Sequence, residues 1–391
     1  MKQKHTREIR IGSVFIGASH PVAVQSMCAT KTQDVSATLK QVIHLTEAGA
    51  KIVRIAVDSP RDAVALEELA RQISLLPSEI RTKVNLSVDL QENFRLAEQI
   101  APFVAKIRYN PGHLNHLQKD IPWREKVRWL AEIAKKHEIA LRIGVNCGSI
   151  DAEKEKEFSA QERKTERLHP MLASALEHAD WLEEIGFTRF CVSLKDSDPR
   201  QVISVNTIFA EKRPDIPLHL GVTEAGVPPL GIQKSRAALE PLLFSGIGDT
   251  LRISLTVPNE RKHEEILAGM SLLADVEAGR RTVTGEWKME GLNIISCPSC
   301  SRVQNSRFVE LAERVHQETQ YAKDFPIIIA VMGCRVNGPG ETDHADLGLW
   351  CGSDTVNLKS GGKLLGTFAY EEILQVLKHE LNKILSERGF L

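Results

Sequence analysis

The sequence predicts an α/β protein: a TIM (β/α)8 barrel over residues 1–278, then a small α+β domain over 292–391. Three observations carry that expectation. Eight short runs rich in Val, Ile and Leu recur mostly about thirty residues apart, the length of one β–α unit. Amphipathic, helix-like segments fill the gaps between them. The pattern then stops at Ala278, and four of the seven cysteines lie beyond residue 296.

The runs are 22–27, 52–57, 84–90, 106–110, 141–146, 190–195, 218–223 and 251–256. After the second, Ser59 is an N-cap and Pro60 occupies the first helical position, ahead of Ala63, Leu66 and Leu69. The segment 123–136 keeps Val127, Leu130, Ile133 and Ala134 on one helical face. Asp198 and Pro199 open another helix. The fifth unit is stretched by a highly charged insert, 151–167, read as a solvated loop or helix extension. Eight parallel strands could also lie flat in a doubly wound sheet. No Gly-x-Gly-x-x-Gly turn follows the first run, so a dinucleotide-binding fold has no motif behind it.

Residues 279–291 are a polar linker; its thirteen residues span at most ~45 Å. Beyond it lie a strand at 294–296, a helix around 307–318, an apolar run at 327–332, a Gly/Pro loop and a terminal helix over 370–385.

Composition narrows the function classes. Fifty Lys and Arg against fifty-one Asp and Glu give a net charge of −1, with no global basic field for nucleic acid. At 42% apolar and 26% charged, the chain is an ordinary globular one rather than a disordered or rod-like one. The longest apolar stretch, 326–333, falls far short of the ~18–20 residues of a membrane helix. The basic start is followed by 11–18, too short and glycine-broken for a signal peptide, so a cytoplasmic location is expected. An odd cysteine count argues for free thiols or metal ligands over a disulfide framework.

Side chains alternate across a strand, so parity separates helix-facing from lumen-facing positions. Val53, Ile55 and Val57 share one face while Arg54 shares the other. The same reading sends Arg108, Asn110, Arg142, Asn146, Lys195, Arg252, Ser254 and Asp89 into the lumen, where most barrels place branched apolar residues. A buried cation costs several kcal/mol unless paired. Asp89 is the main visible partner for five cations. The excess positive charge points to a multiply anionic small ligand, a diphosphate above all. The bland alternative is that each arginine pairs with a loop carboxylate and merely seals the barrel. Glu224, at the end of the seventh strand, is placed for proton transfer or for a structural salt bridge. His219 reads as a structural histidine, and Lys195 could serve as a Schiff-base lysine instead of a phosphate contact.

Cys297-Pro298-Ser299-Cys300 puts two thiols on one tight turn. Cys334 opens the Gly/Pro loop that runs to Glu341. Zinc, a redox dithiol and an iron–sulfur cluster all suit such a set. Cys351 is one candidate for a fourth ligand; Glu341 is the other, and an oxygen ligand is more easily displaced from iron than a thiolate. Cys28, Cys147 and Cys191 read as small buried apolar residues.

Three motifs together carry a close resemblance: the run from Ile295 to Cys300, the run from Gly333 to Glu341, and Leu218-His219-Leu220-Gly221-Val222-Thr223-Glu224-Ala225-Gly226. On them the chain resembles the hydroxymethylbutenyl diphosphate synthase family, the iron–sulfur enzymes of the methylerythritol phosphate route to isoprenoids. The resemblance implies a barrel like that of dihydropteroate synthase and a second domain like half of a sulfite reductase module. It implies a [4Fe–4S] cluster on Cys297, Cys300, Cys334 and Glu341, and the two-domain bacterial form. The implied reaction is reductive ring opening of methylerythritol cyclodiphosphate. Arg54, Arg108, Arg142, Lys195 and Arg252 would hold the diphosphate, helped by Asp89, Asn110, Asn146 and Ser254. Glu224 would protonate the departing hydroxyl, and Asn337 would orient substrate. Flavodoxin or ferredoxin would supply electrons, and the family arrangement is a head-to-tail homodimer. Where the family usually carries Thr-Asn after Gln-Ser-Met, this chain has Cys28-Ala29.

Overall fold

The computed structural model describes residues 5–114, 116–150, 154, 156, 168–283, 287, 291–334 and 338–390. A two-stranded hairpin of β1 (Ile9–Ile11) and β2 (Val14–Ile16) precedes the barrel. The barrel strands are β3 (Ala23–Met27), β4 (Ile52–Ala56), β5 (Leu86–Asp89), β6 (Lys106–Tyr109), β7 (Ala140–Asn146), β8 (Phe190–Lys195), β9 (His219–Leu220) and β10 (Thr250–Leu251). They pair in parallel in the order β8-β7-β6-β5-β4-β3-β10-β9. A parallel bridge from Val192 to Leu218 joins β8 to β9 and closes the ring. The eightfold expectation holds, and the open-sheet alternative falls.

Helices cover the outside for the reasons the sequence supplies. Ser59 Oγ accepts from the Asp62 amide, and Asp62 answers the Ser59 amide in a full capping box. Helix Trp123–Lys136 buries Val127, Leu130, Ala131, Ile133 and Ala134 along one stripe. Val127, Leu130 and Ile133 each contribute ~1.5–3 kcal/mol on burial. The last barrel helix runs His263–Glu277.

Two features escaped the sequence reading. The seventh and eighth strands are two residues each, far shorter than their apolar runs. Their downstream residues leave the ladder and form mouth loops, which is where Glu224, Arg252 and Ser254 sit. The N-terminal hairpin is the other. Its Ile9, Ile11 and Ile16 form an apolar cluster with Ala23, Ile52, Ala140 and Cys191 at the start of the strands. Gly12, at φ 61°, turns this hairpin; a Cβ there would stand 2.1 Å from Asn85 Oδ1, the atom that accepts from the Ser13 amide. The barrel is therefore plugged at its lower end.

The second unit is a mixed sheet in the order β11 (Asn293–Ser296), β12 (Ile328–Met332), β13 (Leu347–Cys351), β14 (Thr355–Ser360), β15 (Lys363–Ala369). The first three strands are parallel and the last three form an antiparallel meander. Helices Arg307–Glu318 and Ile373–Glu387 bury Phe308, Leu311, Val315, Leu377 and Leu381 in its core. The meander had no reading in the sequence, although Gly361-Gly362 marks its second turn. The 151–167 insert lies outside the described residues, save 154 and 156.

Candidate active site

The second unit sits on the mouth of its own barrel. The Ser296 amide donates to Glu224 O at 3.3 Å, and Ala225 bridges Ser296 as if adding a strand. Thr256 Oγ1 lies 2.6 Å from Ser296 Oγ, and Ser299 Oγ donates to Val257 O at 2.8 Å. Lys31 Nζ reaches Ser301 O at 2.9 Å. Lys234 Nζ donates to Asn293 Oδ1 at 2.7 Å.

These contacts enclose one cavity lined from both sides. From the barrel come Arg54, Asp89, Arg108, Arg142, Asn146, Lys195, Glu224, Arg252 and Ser254; from the second unit come Cys297, Cys300 and Cys334. The structure thus brings together most of the predicted residues. It adds four that sequence reasoning missed or passed over: Met27, Gln91, Thr223 and Arg302. Arg302 carries the clearest signal in retrospect, standing two residues beyond Cys300.

Asp89 organises the cations. Its Oδ1 accepts from Arg108 Nη1 at 2.9 Å, and its Oδ2 lies 3.3 Å from Arg302 Nη1 and 3.9 Å from Arg54 Nε. Burial alone would raise the Asp89 carboxyl, but Arg108, Arg302 and Arg54 outweigh it and hold it well below the usual carboxylate range. Arg302 also makes a two-point pair with Asp58, Nη2 to Oδ1 at 2.6 Å and Nε to Oδ2 at 2.8 Å.

The count of lumen carboxylates needs correction. Glu265, fully buried on helix His263–Glu277, is a second partner that the strand-by-strand reading could not see. Arg252 donates to it through Nη2 at 3.2 Å and Nε at 3.3 Å, Lys262 Nζ lies at 2.6 Å, and Ser26 Oγ donates at 2.9 Å. Arg252 is thus held by a carboxylate, as the bland reading had it, though one on a helix rather than a loop, and it still faces the cavity. Arg142 is different. It is 1% exposed, and its Nε and Nη1 have no hydrogen-bond partner among the described residues. Six cations and two carboxylates, Asp89 and Glu224, line the cavity among the described residues; with Glu265 and Asp58 behind them the cations still outnumber the carboxylates, so the positive excess survives. Lys195 shows its effect. Burial first, then Arg142, Arg54, Arg252 and Arg108, lower its ammonium well below the usual lysine range.

Gly144 of β7 makes room for this arrangement. Arg108 lies across it and donates Nη2 to Gly144 O at 2.8 Å; a Cβ there would stand 2.1 Å from Arg108 Nε. Gly144→Ala is therefore expected to displace Arg108 and lower kcat/KM by about 10²-fold, the cost of a ligand clamp misplaced by about 1 Å. Steady-state kinetics beside an unchanged thermal melt would show it.

Glu224 is backed by its backbone. Its φ of 46° is in the left-handed region, uncommon for a non-glycine residue, and Gly226 follows at 100°. Strain of this kind is held only where the surroundings fix it, here the pairing with Ser296.

The thiols fit a metal centre. Cys300 and Cys334 are hydrogen-bonded to each other, which with burial pushes the Cys300 thiol well up. The Gly333 amide donates to Cys297 Sγ at 3.3 Å, the contact that a metal-bound thiolate accepts. Cys351 does not join them: it lies in the apolar core of the second unit, its thiol pushed up to about 12 by burial.

Other placements differ from expectation. Asn110 stops short of the cavity lining; its Nδ2 donates to Ser149 Oγ at 2.9 Å and its Oδ1 caps the Gly112 amide. A strand-end asparagine is drawn to the nearest turn, and this one folds back on its own loop. Asn337 lies outside the described residues. Glu341 is buried on the helix Gly338–His344 and lines the adjoining cleft with Asp196 and Asn293, not the thiol cavity itself. Its Oε1 accepts from Cys147 Sγ at 3.4 Å, so Cys147 is more than the small apolar residue the sequence suggested. His219 is fully buried with Nδ1 2.7 Å from Thr250 Oγ1, in keeping with a structural role.

A closed β/α barrel whose cationic mouth is capped by a thiol-bearing domain defines a class of barrel oxidoreductase, with a wall of cations facing a wall of cysteines. Within that class the chain belongs to the GcpE family: residues 6–270 match the GcpE TIM-barrel domain and 293–383 the GcpE protein C-terminal domain. It is 55% identical to the 4-hydroxy-3-methylbut-2-en-1-yl diphosphate synthase (flavodoxin) of Rhodopirellula baltica over 388 residues, covering 99% of this chain and 98% of the relative. The protein of the same name from Persephonella marina is 35% identical over 385 residues, covering 98% and 99%. Among solved structures, the spore coat polysaccharide biosynthesis protein spsE of Bacillus subtilis aligns with a TM-score of 0.50 and 10% identity, over 72% of this chain and 76% of that one. That likeness concerns the barrel fold alone.

Proposed function

We propose that this chain converts 2-C-methyl-D-erythritol 2,4-cyclodiphosphate to (E)-4-hydroxy-3-methylbut-2-enyl diphosphate, as an iron–sulfur oxidoreductase of isoprenoid biosynthesis. The observation that carries this is the single cavity lined by both the barrel cations and the three thiols. In the reaction a ring C–O bond to phosphate breaks, a hydroxyl leaves as water, and the new double bond forms at the expense of two electrons. Cys297, Cys300 and Cys334 would hold a [4Fe–4S] cluster, with Glu341 as the non-thiolate fourth ligand. When bound, that group supplies single electrons to the substrate.

The chain's own residues do the rest. Arg108, Arg142, Arg54, Arg252 and Lys195 bind the diphosphate, with Asn146 and Ser254 beside them and Asp89 keeping Arg108 and Arg54 in place. Their charge offsets the negative charge that accumulates as the ring opens. Glu224 carries the proton that the leaving hydroxyl takes. The seated second unit keeps water from the reacting carbons. Asn110 and Asn337 are left as substrate contacts by the resemblance alone. Flavodoxin, which forms part of the relatives' names, is the proposed electron donor. A reducing, cytoplasmic setting suits seven cysteines, none of them in a disulfide. No described helix is long and apolar enough to cross a membrane.

Anaerobically purified protein is expected to be brown, with about four iron and four sulfide per chain, and to turn over the cyclic diphosphate with reduced flavodoxin. A colourless protein holding one zinc would overturn the reading. Lys195 provides a second check. Burial and the neighbouring cations lower its ammonium, and a bound dianion opposes that shift. Pyrophosphate binding is therefore expected to take up protons, and affinity to fall as pH rises. Calorimetry in two buffers of different ionisation enthalpy measures the uptake; proton release on binding would contradict it.

The head-to-tail homodimer is proposed on the same interface. The contacts made here within one chain would form between two if the linker passed across, and its residues 284–286 and 288–290 lie outside the described ones. Mixing Arg54→Ala chains with Cys300→Ser chains tests this. Recovered activity supports a shared site; none, with subunit exchange demonstrated, supports the arrangement within one chain.

A further inference from the structure

The loops after β5 and β6 gather a second set of metal-type donors beside the cationic cavity. Glu92 follows Gln91 on the first loop; His113 and His116 lie on the second. Glu92 Oε1 stands 3.4 Å from His116 Nδ1 and 4.0 Å from His113 Nδ1. One ligand atom from each of the three lies within 4.8 Å of the others. Bonds of ~2.0–2.1 Å to tetrahedral zinc put neighbouring ligand atoms about 3.3 Å apart. Small side-chain rotations bring the three to that spacing.

The hydrogen bonds fix which nitrogen of His113 is available. Gln91 Oε1 accepts from Arg108 Nη1 at 3.0 Å, so the Gln91 amide nitrogen is the donor that faces His113 Nδ1. His113 Nδ1 therefore accepts and carries its proton on Nε2. That is the lone pair a metal takes. Two imidazoles and a carboxylate suit zinc and its transition-metal neighbours better than magnesium or calcium.

We propose that Glu92, His113 and His116 form a transition-metal site whose occupancy competes with Gln91 for His113 Nδ1. Metal binding detaches Gln91 from the histidine and loosens its hold on Arg108, and it adds positive charge next to the anion cavity. Both changes favour the diphosphate, so occupancy of this site tightens substrate binding. This coupling rests on the reading of the cavity as a diphosphate site; the metal site itself does not.

Cluster-loaded holoenzyme, its thiols already engaged, is dialysed anaerobically against micromolar zinc and its metal content measured. One zinc per chain is expected in the wild type and none in His116→Ala or Glu92→Gln. Both positions have solvent-exposed side chains, at 51% and 39%, so neither change should disturb folding. Zinc retained equally by both variants would overturn the site, whatever the enzyme's activity. KM for the cyclic diphosphate is expected to fall about threefold on zinc loading, roughly 0.65 kcal/mol, in the wild type and to stay put in His116→Ala. An unchanged KM in zinc-loaded wild type would remove the link through Gln91 while leaving the metal count to stand.

Discussion

Cys300→Ser is expected to give protein that still binds the cyclic diphosphate but is colourless and does not turn over. The serine keeps the size of the side chain and the tight turn that bears it. It removes one of three thiols on a single cavity wall and the partner of Cys334. Losing a residue that merely supports a metal ligand costs about 10–100-fold, so losing the ligand itself should exceed that. The barrel wall is untouched, so calorimetric affinity for substrate should change little. Iron and sulfide analysis with an assay using reduced flavodoxin checks it. Full iron content with wild-type turnover would remove Cys300 from the metal set.

Arg142→Met is expected to make the protein more stable and nearly inactive. Arg142 is a costly cation to bury. It is fully buried, two of its nitrogens lack partners among the described residues, and burial followed by Arg108 lowers its guanidinium to about 10. A methionine fills much of the same space without charge. Replacing buried charge by apolar side chains can stabilise by about 1–4 kcal/mol. Thermal melts should therefore shift upward. The same change removes a cation from the diphosphate wall and should lower kcat/KM by at least about 10²-fold, in the range of removing one charge-stabilising donor. A destabilised variant would mean that Arg142 holds the barrel together; a stable and active one would mean that it does not bind substrate.

The barrel could be read from the chain because its signals are local. Each β–α unit carries its own apolar run and its own cap, as at Ser59 and Asp62, and strand parity alone sends Arg54, Arg108 and Arg142 inward. What escaped depends on distant pairing. Glu265 lies on a helix, so no strand parity exposes it, yet it neutralises Arg252 across the barrel mouth. Arg302 reaches Asp58 and Asp89 only because the second unit docks where it does. Asn110 had the right parity and the wrong neighbours, since Ser149 claims its amide. The three cysteines were legible from spacing and glycine placement; the contact between Cys147 and Glu341 joins residues 194 positions apart.

The join between the two units has a consequence of its own. It is stitched by Lys31, Lys234, Thr256, Ser299 and the Arg302–Asp58 pair, and among the described residues Val227 is the one barrel residue in the apolar core of the second unit. Such a seam can part without baring a greasy surface to water. With the lower end of the cylinder stoppered by the N-terminal hairpin, the cavity can be approached only from this upper side. Raised ionic strength weakens ion pairs more than oily contacts, so added salt is expected to loosen this seam before it touches either core.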